Sequence, residues 1–340
     1  MRSPGHQLPI TGRVSLFETG AKHVDRAQAN RKVTTTPPSQ ALQQVMDALR
    51  SICQPSPAWV ATLVVLIIDG GWIVLGGWTV PPSSVATTGG AFAAFLTPLC
   101  FDRYRDDVRI SGTLRVGALL ILFTGATAIL SYLVVSTNAN LVDARLAAWD
   151  RSIGFDWLTV FQWMQAHPSI HASLGVAYGS GLPQMAFVVV FLGFTARSAQ
   201  LNEFMCLYFA AVLVVVALSW PFPAAGPWAH YSLSAMLDAS SMSHFHLLRD
   251  GSLRTLDLKE MQGLISIPSL HTALAMILMY AMRGTRLFSG FVLLNGLMIL
   301  ATPIEGGHYL VDVLAGAVLA LTLIAFSRFW VAGAFRRSRP

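Results

Sequence analysis

His308 and Asp312 stand four residues apart in the stretch Ala301–Gly316, ATPIEGGHYLVDVLAG. They fall where a polar loop gives way to a long apolar run. Residues four apart share one face of a helix, one turn above the other. The carboxylate can therefore hold the imidazole's orientation and stabilise it when it becomes positive. A second stretch, Ser266-Ile267-Pro268-Ser269-Leu270-His271, sets another imidazole at the mouth of another apolar helix. Two histidines and an aspartate at helix ends, in a chain this apolar, point to chemistry at a membrane surface.

The elements that must carry these residues follow from composition. Of 340 residues, 54% are hydrophobic and 12% charged, whereas soluble domains carry about 25% charged residues. The expected fold is an all-α, polytopic membrane bundle. The net charge of +6 is spread over loops between apolar runs, so membrane topology explains it and nucleic acid is not an expected partner. Three cysteines, Cys53, Cys100 and Cys206, have no regular spacing and imply neither a disulfide framework nor a CxxC metal site. The first apolar run starts near Ala58, too late for a cleaved secretory signal.

Eight spans are expected: Ala58–Val80, Val85–Phe101, Leu114–Val135, Leu174–Phe194, Phe204–Trp220, Ile267–Met282, Phe288–Ala301 and Tyr309–Trp330. Residues 1–56 read as a polar cytoplasmic tail, with a possible amphipathic helix over Ala41–Cys53. Residues 331–340 read as a short basic tail. With both termini inside, 18 of the 23 Lys and Arg residues fall on the cytoplasmic side, as the positive-inside rule requires. The same arrangement, which rests on Lys and Arg alone, puts His271, His308 and Asp312 together at the outer interface.

Two long outer loops remain. The first, Ser136–His171, interleaves Trp149, Trp157, Phe161 and Trp163 with Asp and Arg. It reads either as a lid for a lipid substrate or as a structural helix lying in the interface. The second, Pro221–Ser266, opens on a Pro/Gly-rich turn and carries His244, His246, Arg249 and Arg254. A phosphate needs donors, and the guanidinium fork supplies two at once. Arg249 and Arg254 are thus the candidate phosphate clamp, with a solvated loop charge as the alternative. An HxH pair alone is weak support for a metal. Asp69, mid-span in the first helix, needs a partner or water and reads as a structural interhelical contact.

Pro268-Ser269-Leu270-His271 and His308-Tyr309-Leu310-Val311-Asp312 resemble the second and third motifs of the type-2 phosphatidic acid phosphatase superfamily. Leu270, where most members have Gly, resembles the inositolphosphotransferase branch, which includes inositol phosphorylceramide synthase. The resemblance implies a six-helix catalytic core over residues 114–330, with two additional helices over 57–113. It departs from the pattern at two points. The first motif's Lys and Arg are missing from Pro221–Pro227, and Thr302 stands where an Arg precedes the third motif's His.

The resemblance implies two-step phosphoryl transfer without metal or cofactor. His308 attacks phosphorus, Asp312 orients it, and His271 protonates the leaving oxygen and then activates the acceptor. Ser269 and nearby backbone N–H groups would bind phosphoryl oxygens. The substrate would be a lipid phosphate or phospholipid at the outer face, and a bacterial inner membrane with a periplasmic site is the expected location. Two other readings exist: a non-catalytic lipid-binding or transport protein on the same core, and a metal hydrolase using His244, His246 and His271.

Overall fold

The computed structural model describes residues 57–233 and 240–337, and these form an all-helical bundle without strands. The amphipathic helix expected at Ala41–Cys53 and most of both tails lie outside the described residues. Helix α1 (Pro57–Gly76) starts on a proline and stops before Gly77, whose φ of +65° ends the helix. Helix α2 (Pro82–Leu96) follows the Pro81-Pro82 break and passes into a 3-10 turn, Thr97–Cys100. After the short α3 (Asp102–Arg105), Asp107 caps α4 (Val108–Val135) by accepting from Arg109 N and Ile110 N.

Helices α5 (Asp143–Ser152) and α6 (Trp157–Gln165) occupy the first long loop. Helices α7 (Pro168–Gly179) and α8 (Gly181–Phe194) meet at Ser180 with a bend of 42°. Then come α9 (Ser198–Ser219), the single turn α10 (Pro227–His230), α11 (Ser240–Arg249), α12 (Leu270–Ala281), α13 (Phe288–Glu305) and α14 (Leu310–Arg337).

Five helices, α1, α4, α9, α13 and α14, are long and apolar enough to cross a bilayer, and the bent α7–α8 pair makes a sixth candidate. The chain is therefore a multi-pass membrane protein. The other two expected spans appear as shorter helices. The 15 residues of α2 cover about 22 Å and the 12 of α12 about 18 Å at 1.5 Å per residue, against a hydrocarbon core of about 30 Å. For α12 the reason is visible. It packs against α8, α9, α13 and α14, and Ala273, Ala275, Ile277, Leu278 and Ala281 are buried along it. A helix enclosed by protein need not match the bilayer.

The main core joins α4, α8, α9 and α12 through Phe123, Val188, Leu192, Phe204, Ile277 and Leu278. Phe123 stacks on Phe209 with ring centroids 3.6 Å apart. Large apolar side chains such as Leu75, Leu293 and Phe329 point outward, as lipid-facing helices demand. Asp69, expected to make a structural interhelical contact, lies inside the protein, yet neither carboxylate oxygen has a hydrogen-bond partner among the described residues.

Candidate active site

His308 sits in the short link between α13 and α14. Gly306 and Gly307 make that link possible. A Cβ on Gly306 would lie 2.7 Å from both the His308 ring and the Tyr178 hydroxyl, and one on Gly307 (φ +59°) would lie 2.9 Å from the Trp228 ring. Only glycine lets the imidazole, the phenol and the indole crowd the same turn. The His308 N–H donates to Pro303 O at 3.2 Å.

The first N–H groups of α14 have no partners within their own helix. Leu310 N and Val311 N donate to the two carboxylate oxygens of Asp150, each at 2.9 Å. Tyr309 N donates to Asp312 Oδ2 at 3.1 Å. The Tyr309 hydroxyl donates to Asp143, which also accepts from Ala225 N and Gly226 N of the Pro-rich loop. Asp143, Leu146, Ala147 and Asp150 form the buried face of α5, while Trp149 and Ile153 point outward. The loop read as a lid or a structural helix is thus tied down at both ends of α5. Burial pushes the Asp150 carboxyl above its ordinary range, and its two backbone donors pull the other way.

The second motif is bolted to the third. Ser269 N donates to Asp312 O at 3.1 Å, and Ser266 Oγ donates to Asp312 Oδ2 at 2.7 Å. A Cβ on Gly316 would lie 2.3 Å from Ser269 O, so glycine is what lets α14 touch the loop. Ser269, expected to hold a phosphoryl oxygen, is turned elsewhere. It is fully buried and caps α12, its Oγ accepting from Thr272 N and Thr272 Oγ1.

His271 and His308 do meet, with ring centroids 6.5 Å apart and planes at 64°. Asp312 Oδ2 lies 3.7 Å from His308 Nδ1, an ion-pair distance, and Nδ1 has no hydrogen bond. Tyr178, which the motifs did not flag, stacks on His271 with centroids 4.3 Å apart and places its hydroxyl 3.1 Å from Nδ1. Both histidines open on a cavity of about 460 Å³. Tyr178, Trp228 and Glu305 line it beside the histidines, while Thr127, Ser131, Val212 and Val215 line it between α4 and α9. A polar end continuous with a largely apolar compartment suits a lipid.

The expected clamp is not assembled. Neither Arg249 nor Arg254 lines the cavity. Arg249 Nη2 donates to Ala139 O at 2.8 Å, its guanidinium lies over Phe245, and its Nη1 is buried without a partner. Arg254 lies over the Trp78 ring, 4.8 Å from its centroid. At the position of the third motif's Arg, Thr302 is buried and hydrogen-bonds back to Met298 O. His244 Nδ1 pairs with the Tyr132 hydroxyl at 2.9 Å. No group of three or more His, Cys, Asp or Glu able to hold a metal occurs among the described residues.

Helices long and apolar enough to cross a bilayer, around a cavity lined at its polar end by two histidines, define a multi-pass membrane protein with an internal polar site. Residues 144–326 match the family model of the PAP2 superfamily. The match covers more than half of the chain, and the chain belongs to that superfamily. No curated protein and no solved structure matches it.

Proposed function

We propose that the protein is a membrane-embedded phosphoryl-transfer enzyme acting on lipid phosphates or phospholipid head groups through a phospho-histidine at His308. One observation carries the reading: His271 and His308 converge at the polar end of an apolar-lined cavity. In the first half-reaction, the free ring nitrogen of His308 attacks phosphorus, and the bond to the leaving alcohol breaks. His271 gives that oxygen its proton. In the imidazolium form that delivers this proton, His271 Nδ1–H donates to the Tyr178 hydroxyl oxygen, which leaves the Nε2 proton to be given up. In the second half-reaction, His271 takes the acceptor's proton, its oxygen attacks phosphorus, and the P–N bond breaks. Asp312 offsets the charge that His308 gains.

The acceptor sets the reaction class. Water gives a phosphatase, and a lipid or polyol hydroxyl gives a transferase of the inositolphosphotransferase type. The working core is residues 114–330, with the helices of 57–113 added to it, and the family match begins only at residue 144. The distribution of Lys and Arg supports an outer, periplasmic site in a bacterial inner membrane.

His308→Ala tests the reading. Incubated with labelled lipid phosphates and phosphodiesters, the variant should lose turnover and the acid-labile phospho-enzyme while its melting curve stays close to wild type. Substantial residual turnover would remove His308 as nucleophile. Wild-type turnover should also persist in EDTA. The missing cations favour one second reading, a lipid-binding protein without catalysis, in which the histidines hold a head group. That reading predicts lipid binding with no phosphoryl release from any member of the panel.

A further inference from the structure

The superfamily's pattern supplies cations to the phosphoryl group, and this cavity does not. Among the described lining residues there is no Lys or Arg. It offers instead a neutral donor and a carboxylate. Trp228 Nε1 is buried without a hydrogen-bond partner, and an indole nitrogen can only donate. Glu305 lines the same cavity three residues before His308, and its Oε1 is likewise buried without a hydrogen bond.

Both side chains are seated by glycines. The Trp228 ring rests on Gly307, and Glu305 Oε2 would lie 3.3 Å from a Cβ on Gly175. His171 Nε2 comes within 2.9 Å of Glu305 Oε1 without the geometry of a hydrogen bond. Its side chain is 31% exposed against 18% for Glu305, so the imidazole is the more solvent-facing of the pair. A carboxylate on the wall of a cation-free cavity repels a phosphomonoester dianion. It also repels an anionic diester, which has no positive charge to set against it. It attracts an ammonium, and the Tyr178 and Trp228 rings beside it add cation–π attraction.

Resting on the phosphoryl-transfer reading, we propose that the cavity is a head-group pocket for a zwitterionic phosphodiester lipid, in which Trp228 Nε1–H donates to a phosphoryl oxygen and Glu305 receives the ammonium. Trp228 then fills the role of the absent cations, and Glu305 sets the choice of substrate.

The test uses the purified full chain in lipid nanodiscs with three labelled substrates: phosphatidylcholine, phosphatidylglycerol and phosphatidic acid. Wild type should turn over phosphatidylcholine about tenfold or more above the other two, the scale expected when like charges are opposed. Glu305→Gln should lower the phosphatidylcholine rate, raise the phosphatidylglycerol rate and bring their ratio towards one. Trp228→Phe should lower kcat by about a hundredfold on every lipid with KM little changed, as loss of one pre-placed donor does. Trp228→His, which restores a ring N–H, should recover part of it.

A preference for phosphatidic acid or phosphatidylglycerol overturns the assignment, and so does a Glu305→Gln effect equal on all three lipids. Trp228→Phe with unchanged kcat overturns the donor role. Should that variant fail to fold, the ranking of lipids by wild type and Glu305→Gln still decides. His308-dependent turnover with the wrong ranking defeats the head-group pocket alone. Loss of all His308-dependent turnover, on every lipid, defeats the phosphoryl-transfer reading with it.

Discussion

Gly316→Ala sets two effects of opposite sign against each other. By helix propensity, alanine inside α14 should stabilise by about 1 kcal/mol. By packing, its methyl would lie 2.3 Å from Ser269 O and 3.2 Å from Ser269 C, both backbone atoms, whereas ordinary contact begins at 3.4 Å. Relief requires a separation of about 1 Å between α14 and the Ser269 loop, and overpacking of this kind costs about 1–3 kcal/mol. Packing therefore wins, or at best balances.

The catalytic consequence is larger. The displaced contact lies beside the Ser269 N–H···O=C Asp312 bond of 3.1 Å, and His271 follows Ser269 by two residues. A shift of about 1 Å in the relation of His271 to His308 should cost on the order of a hundredfold in turnover. The assay is thermal melting of the solubilised protein beside labelled-lipid turnover. Gly296→Ala serves as the control, since a methyl there meets nothing within 4 Å. Gly316→Ala should melt lower and turn over about a hundredfold slower, while Gly296→Ala melts the same or higher. A Gly316→Ala protein that melts higher and keeps full turnover would show that this contact does not set the distance between the histidines.

Two further perturbations probe the two long loops. Asp150→Ala strands two partly buried N–H donors at the start of α14. At about 1.5–3 kcal/mol for each bond to a charged acceptor, it should lower stability by about 3 kcal/mol or more and reduce turnover, read by melting and by the lipid assay. Asp257→Asn addresses pH. The Asp257 carboxylate accepts from Ser84 Oγ and Lys259 N, and these bonds hold its pKa below the ordinary 3.8. A depressed carboxylate contributes stability that is present above its unfolded pKa and lost as pH falls through its folded one. Wild type and Asp257→Asn should therefore differ near neutral pH and converge in acid, as melting across a pH series would show.

Local spacing reaches only as far as a helix turn. The His308–Asp312 pair was legible because the two are four residues apart, although His308 lies in the link just before α14 and only Asp312 lies in its first turn. The second histidine was legible because its motif is equally local. The spans were legible wherever one apolar run is long enough to cross a bilayer by itself, as in α1, α4, α9, α13 and α14, while α12, enclosed by its neighbours, is shorter than its apolar run suggested.

The residues that hold the site in shape are of another kind. Asp150 meets its donors 160 and 161 positions along the chain, and Asp143 meets the Tyr309 hydroxyl 166 positions along. Their spacing of seven, with Leu146 and Ala147 between, marks two acids on an apolar helix face, but nothing local names what they bind. Arg249 and Arg254 show the converse. They had the right chemistry and the expected side of the membrane, yet an aromatic face and a loop carbonyl hold them away from the cavity wall.

A charge placed by topology alone says which side of the membrane it occupies, not which surface it faces. The absent cations at Pro221–Pro227 and Thr302 were visible in the sequence, and they carried more information than the cations that were present. They required some other donor for a phosphoryl oxygen. The fold brings an unpartnered indole, on the turn that follows the Pro-rich loop, to the wall that also carries His308. The carboxylate three residues before that histidine then sets which head group can approach.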